Sequence, residues 1–330
     1  MPNAAIIGTG FYVPERVIKN ADLTKLMDTS DEWIRERSGI EERRWITEGT
    51  SSNDLALKAS FMAIEDAGIK PDDIDFIIYS TLNPDHQFPG NGPFLQESLG
   101  IGTIGAMDIR NQCTGFVYGL AAAHGFILTG VAKCVLVVGS EIHSTGLDIS
   151  TRGRDLAVLF GDGAGAAIVR TTEEDRGIIA SSLHCQGEFA RELWCEIPTA
   201  KIQGRWTEEM IAEGRHFPYM NGRNVFKHAT RRFCEAINEV LIMGKVSKDE
   251  IALVIPHQAN QRITDMVTRR MGLPTERVYS NIHRYGNTTA ASIPIALSEA
   301  VREGKIQRGD LLVTVAFGSG FTWGANLIRW

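Results

Sequence analysis

Apolar residues recur along the chain in two rhythms, one of short unbroken runs and one of positions spaced three and four apart. Residues 5–14, Ala-Ile-Ile-Gly-Thr-Gly-Phe-Tyr-Val-Pro, predict a strand that ends in a glycine turn. Residues 29–40 open with Thr-Ser-Asp-Glu, as a capped helix does, and close at Gly39. Between residues 52 and 68, Leu55, Ala59, Met62 and their neighbours have helical spacing, and Gly68 stops the pattern. Phe76-Ile77-Ile78-Tyr79-Ser80 then predicts a buried strand. Another run at residues 104–109 has strand length, and small residues from 115 to 130 are enough for a helix. Strands alternating with helices in this way predict an α/β fold.

The pattern occurs twice. Residues 69–78 and Asn83 correspond to residues 246–255 and Asn260 at a constant offset of 177. Val135-Leu136-Val137-Val138 is echoed by Leu311-Leu312-Val313-Thr314 at 176. Each series then finishes on a glycine-alanine strand, at residues 163–170 and 324–329. Three echoes in one order at nearly one offset predict an internal duplication of an α/β unit. The charged turn at residues 171–177 marks the boundary, so the expected halves are residues 1–172 and 173–330.

Composition narrows the function classes. A chain of 330 residues, 43% hydrophobic, can bury a large core. Its net charge of −6 gives no global attraction to nucleic acid, and no apolar run approaches the ~18 residues of a membrane span. The N-terminus has neither the basic lead nor the apolar core of a signal peptide, so a cytoplasmic location is expected. Five cysteines without CxxC spacing suggest reduced thiols and no metal site.

Against that background three turns carry candidate chemistry. Cys113 lies between the strand at 104–109 and the helix at 115–130, where backbone N–H groups and a helix dipole favour thiolate. A nucleophile is one reading, and a buried small hydrophobe is the other. His257, in Pro256-His257-Gln258-Ala259-Asn260, follows a buried strand that Pro256 is expected to end, with a helix to follow. Asn287 precedes a small-residue helix, near the position onto which the duplication maps Cys113. Individually His257 could be a core histidine and Asn287 a helix cap; at corresponding turns they suggest one site between the halves. Gly8-Thr9-Gly10 only hints at a dinucleotide fingerprint, because Val13 and Pro14 spoil it.

These residues, with Asn111-Gln112-Cys113-Thr114-Gly115-Phe116, Phe160-Gly161-Asp162-Gly163 and Gly286-Asn287-Thr288-Thr289-Ala290-Ala291-Ser292, give the chain a close resemblance to the β-ketoacyl-acyl-carrier-protein synthases III. The resemblance covers nearly the whole chain. It implies the thiolase-like fold, with duplicated βαβαβ halves in five α-β-α-β-α layers, and a homodimer. It implies that Cys113 takes an acyl group from acyl-coenzyme A and joins it to malonyl-acyl carrier protein with loss of CO2, initiating fatty acid synthesis. No metal or redox cofactor is needed. His257 and Asn287 would stabilise the enolate, and the backbone N–H groups of Cys113 and Ser319 would form the oxyanion hole.

By the same resemblance Trp33 and Arg152 would sandwich the adenine of coenzyme A and Arg37 would meet its phosphates. Gly222, Arg223 and Phe226 would line the pantetheine tunnel, Phe88 would close the acyl pocket across the dimer, and Arg262, Arg269 and Arg270 would dock the carrier protein. Two positions depart from the family pattern: Ser319 stands where glycine is usual, and Arg223 where asparagine is frequent. Residues 184–220, with Trp194, Trp206, Phe217 and the acidic pair Glu208-Glu209, are longer than usual and are expected to reshape the tunnel or its mouth. Rival readings are a cysteine hydrolase, a specialised homologue that performs another condensation or acyl transfer to oxygen or nitrogen, and a non-catalytic partner subunit. The acyl primer stays open.

Overall fold

The structure, a computed structural model, describes residues 3–330. Strand β1 (Asn3–Tyr12) leads to a small antiparallel pair, β2 (Val17–Lys19) and β3 (Glu42–Arg44), which brackets helices α1 (Asn20–Leu23) and α2 (Asp31–Ser38). The chain then alternates α3 (Ser52–Asp66), β4 (Phe76–Ser80), α4 (Asn91–Ser98), β5 (Gly105–Ile109), α5 (Gly115–Leu128) and β6 (Cys134–Glu141). After α6 (Arg154–Ala157), β7 (Gly163–Thr172) completes a sheet of order β1-β7-β6-β4-β5.

Strand β8 (Gly177–Cys185) opens a second sheet. A two-residue ribbon, β9 (Leu193–Trp194) with β10 (Tyr219–Met220), encloses the short helix α7 (Glu208–Ala212). Then come α8 (Gly222–Gly244), β11 (Ile251–Pro256), α9 (Gln261–Met271), α10 (Ile282–Tyr285), α11 (Ser292–Arg302), β12 (Leu311–Gly318) and β13 (Thr322–Arg329). The second sheet has order β11-β12-β13-β8. Strand for strand this repeats the first, β8 for β1, β13 for β7, β12 for β6 and β11 for β4, with the same parallel and antiparallel neighbours. The place of β5 is held by a single parallel bridge, Val254 to Val278. The duplication read from the sequence is therefore present in the topology.

Alternation within the strands builds the layers. Ile78 and Val137 point inward, to a core that α5 and α11 share with Leu253, Ile255 and Leu312 of the second sheet. Their neighbours Ile77, Tyr79, Leu136 and Val138 point outward, onto α3 and α4. On the far side, Val254, Val313 and Val315 pack on α8 and α9. Because side chains alternate along a strand, a run apolar at every position buries both faces of its sheet. The result is five layers, α3/α4, sheet, α5/α11, sheet, α8/α9.

Two local expectations are corrected. β1 does not turn at Gly8-Thr9-Gly10 but runs on to Tyr12. A β-carbon there would lie 2.5 Å from Ala63 O at Gly8 and 2.3 Å from Ala59 O at Gly10, so the glycines let α3 press on the strand. Pro256 does not end its ladder either: it pairs with Val315, His257 N–H continues to Val315 O, and α9 begins only at Gln261. Proline lacks a donor but still accepts, which is enough where only one side of the strand is paired.

Candidate active site

β5 delivers the chain to a 3-10 turn, Gln112–Thr114, and α5 starts directly after it. Gln112 has φ of 46°, which swings Cys113 into the space between the sheets. Its counterpart at offset 177 is Thr289, with φ of 49°, in the 3-10 turn Thr289–Ala291 ahead of α11. The two turns touch at the centre of the molecule, where duplication would place them. Gly318, at the end of β12, completes the floor: a β-carbon there would stand 2.8 Å from that of Cys113.

Asn287 is clamped through its backbone. Its N–H donates to Leu159 O at 2.8 Å and its carbonyl accepts from Gly161 N–H at 3.1 Å. Gly286 precedes it with φ of 64°, and a β-carbon there would meet Leu159 O at 2.7 Å, so conformation and space both call for glycine. The side-chain Oδ1 accepts from Thr289 N–H at 2.8 Å, leaving the NH2 end for the cavity.

His257 is 2% exposed. Gln258 N–H donates to Ser292 Oγ at 3.4 Å, and that hydroxyl lies 2.6 Å from His257 Nδ1. Ser292 is buried and, among the described residues, its hydroxyl proton has no other acceptor, so the hydroxyl donates to Nδ1 and the ring proton sits on Nε2. Nε2 itself is buried without a partner. Burial, helped by nearby His143, depresses the imidazole to about 3 and keeps it neutral.

The thiol departs from expectation. Burial pushes Cys113 up to about 12, and the Glu141 carboxyl adds to the rise, against the pull of the α5 dipole. Burial thus opposes the thiolate that the turn was expected to favour. Burial likewise raises the Glu141 carboxyl to about 8, while Leu82 N–H, Thr81 Oγ1–H, Ala290 N–H and Asn83 N–H pull it back.

Cys113, His257 and Asn287 share one cavity of about 1230 Å³. Family models for 3-oxoacyl-[acyl-carrier-protein] synthase III match residues 107–187, and for its C-terminal part residues 243–330. The β-ketoacyl-[acyl-carrier-protein] synthase III of Caldanaerobacter subterraneus subsp. tengcongensis is 43% identical over 99% of this chain and 98% of its own. The chain belongs to the β-ketoacyl-acyl-carrier-protein synthase III family. The solved synthase III of Aquifex aeolicus superposes with a TM-score of 0.91 at 42% identity, covering 99% of this chain and 100% of that one. That of Thermus thermophilus gives 0.92 at 40%, covering 99% of each.

The protein is accordingly a condensing enzyme of the synthase III type with the thiolase-like fold, and the cysteine-hydrolase and non-catalytic readings fall away. Among the described residues no cluster of three or more His, Cys, Asp or Glu side chains could hold a metal ion, and no helix is long and apolar enough to cross a membrane.

In this synthase III the cavity runs from exposed Arg37 and half-buried Trp33 to Cys113, and Arg152, Gly222, Arg223 and Phe226 line it as well. Trp33 and Arg152 each pack against other partners. Arg37 stacks on Trp33 at 4.6 Å, whereas Arg152 is held by Asp148 at 2.6 Å and lies 5.5 Å from the Phe217 ring. Arg262 lies 5.7 Å over Phe226 and lines the cavity. Arg269 and Arg270 are exposed farther along α9, Arg270 bonding Thr230 at 3.2 Å. Asn260 caps α9 and donates to Arg37 O at 2.9 Å, tying that helix to α2.

Phe88 is 80% exposed and outside the cavity of its own chain. Ser319 is not in the left-handed region, so its backbone conformation does not call for glycine, and its hydroxyl donates to Leu193 O on β9. Within residues 184–220, Trp194 and Phe217 line the cavity, whereas Trp206 is exposed and Glu208 and Glu209 start α7 away from it. Sequence reading missed Ser292, His143 and Glu141 as parts of the site; only Ser292 lay in a motif already singled out.

Proposed function

We propose that Cys113 attacks an acyl-coenzyme A thioester. The bond from carbonyl carbon to coenzyme A sulfur breaks, one to Cys113 Sγ forms, and coenzyme A leaves with the thiol proton. The backbone N–H groups of Cys113 and Ser319 hold the oxyanion. Malonyl-acyl carrier protein then loses CO2, its electron pair forming an enolate that receives hydrogen bonds from His257 Nε2–H and the Asn287 NH2 group. The enolate carbon attacks the acyl carbonyl, a carbon–carbon bond forms, and Cys113 leaves and regains a proton from solvent.

The observation that carries this reading is the neutral His257, with an unpartnered, buried Nε2–H beside the Asn287 amide and Cys113. Neutral donors hold a developing anion without first pairing with the malonyl carboxylate. The sites follow the same reading: Trp33, Arg37, Arg152, Gly222, Arg223 and Phe226 for coenzyme A, and Arg262, Arg269 and Arg270 for an acidic carrier protein. Exposed Phe88 reaches the acyl pocket of a second copy in a homodimer. The chain divides into halves at residues 1–172 and 173–330, the first carrying the cysteine and the second the histidine and asparagine, and the enzyme works in the cytoplasm.

Intact-protein mass spectrometry with a panel of acyl-coenzyme A thioesters, then malonyl carrier protein, tests the scheme. His257→Ala and Asn287→Ala are expected to acylate normally and to condense at least about a hundredfold more slowly. Loss of acylation in either folded variant would sink this division of labour.

A further inference from the structure

The donor set leaves one buried histidine without a task. His143, just past β6, is 5% exposed and lies 4.7 Å from the Phe160 ring. Its Nε2 is 2.6 Å from Thr289 Oγ1, and its Nδ1 is 3.4 Å from Asn83 Nδ2. The Asn83 NH2 group also donates to Ile142 O at 3.0 Å, so its donor side faces the ring and Nδ1 must accept. The proton is then on Nε2 and is given to Thr289. Burial keeps the ring neutral, so there is only that proton to give.

Thr289 needs such a hold. It is β-branched and 1% exposed, yet has φ of 49°, a left-handed conformation that branched side chains rarely adopt. Its N–H donates to Asn287 Oδ1, two residues before it, at 2.8 Å. The counterpart turn has unbranched Gln112, whose side chain bonds only to Arg110 O at 3.3 Å and has no buried anchor. A line of hydrogen bonds thus runs from Asn83 through His143 and Thr289 to the amide of Asn287.

We propose that His143 is a positioning residue for the condensation step, anchoring the Thr289 side chain so that the Thr289 N–H stays on Asn287 Oδ1 and the amide keeps its NH2 end toward the enolate. It touches neither the acyl group nor the thiol, so acylation does not depend on it. The inference rests on the enolate role of Asn287 given above.

The test measures two rates on the full-length enzyme, acylation of Cys113 by intact mass and CO2 release from malonyl carrier protein. His143→Leu is expected to slow CO2 release at least tenfold while acylation stays within twofold. His143→Gln, whose amide N–H can reach the same hydroxyl, restores most of the loss. In an Asn287→Ala background His143→Leu adds nothing further, as expected for a residue that acts through Asn287. Should His143→Leu fail to fold, Thr289→Ala breaks the same link from its other end and carries the same expectation. Full CO2 release in folded His143→Leu, equal loss of both rates, or no rescue by glutamine overturns the inference. If Asn287→Ala is slow but His143→Leu is not, only this inference fails; if Asn287→Ala is itself unimpaired, the enolate reading fails first.

Discussion

Burial acts on the Cys113 thiol and the His257 imidazole in the same sense, pushing each toward its uncharged form. For the histidine that is what a hydrogen-bond donor to an enolate requires. For the thiol it means that deprotonation belongs to the acylation step itself. The acylation rate is therefore expected to climb about tenfold per pH unit from pH 7 to 9, because the thiolate fraction does so far below a pKa. Rapid-quench mass measurement of Cys113 acylation decides it, and a plateau in that range would mean that the α5 dipole outweighs burial. Cys113 and Asn287 were legible in the sequence because each sits at a turn between an apolar run and a small-residue helix, and the duplication pairs those turns. Ser292, His143 and Glu141 were not legible as neighbours of the site. Their links to it run through partners far along the chain, Ser292 with His257, His143 with Thr289 and Glu141 with Ala290, which no local spacing reports.

Elements with a clear cap or an unbroken apolar run were the easiest to read. α2, α3 and β4 lie where caps and periodicity put them, with Ser30 and Ser51 as N-caps. β1 was cut short because a glycine looks like a turn until the helix that lies on it is known. The β9–β10 ribbon has two residues per strand, too few for any periodicity, yet it forms part of the cavity wall. α5 shows what its small residues are for. Phe116, Val117, Leu120, Ala123 and Ile127 are all buried in the layer between the sheets, and Gly119 lets the first sheet come close, since a β-carbon there would stand 2.9 Å from the Val137 side chain. Leu120→Ala is expected to cost about 2–5 kcal/mol in urea unfolding, as a cavity there has no surface to collapse toward. Phe61→Ala, on the exposed side of α3, is expected to change stability by less than about 1 kcal/mol. Similar losses in the two would contradict this layer assignment.

At the scale of the molecule, three buried titratable groups set a pH dependence. His143 and His257 fall from an ordinary 6.5 to about 3, so between those values the unfolded chain binds two more protons and stability drops as pH falls. Glu141 rises from 4.5 to about 8, so the folded state holds the extra proton and stability drops as pH rises through that range. Each proton contributes about 1.4 kcal/mol per pH unit within its window. Together these groups place the maximum near pH 6 to 7, which a melting-temperature series from pH 5 to 9 can read. Glu141→Gln is expected to remove the alkaline decline, and a decline of unchanged steepness would show that another group causes it.

The middle layer also governs the order in which the molecule can be made. The inner face of the first sheet, with Ile78, Val137 and Val169, shares its core with α11 and the second sheet. Apart from β8, those parts leave the ribosome long after strands β1 to β7 have been synthesised. Until then a broad apolar face stands open, of the kind that draws chaperones or aggregates. Cys113 shares that wait: on the nascent chain its thiol has neither the burial nor the floor of Gly318, and any electrophile or oxidant meets an ordinary cysteine. The sulfur acquires its buried, protected surroundings only when residues 257–318 close over it.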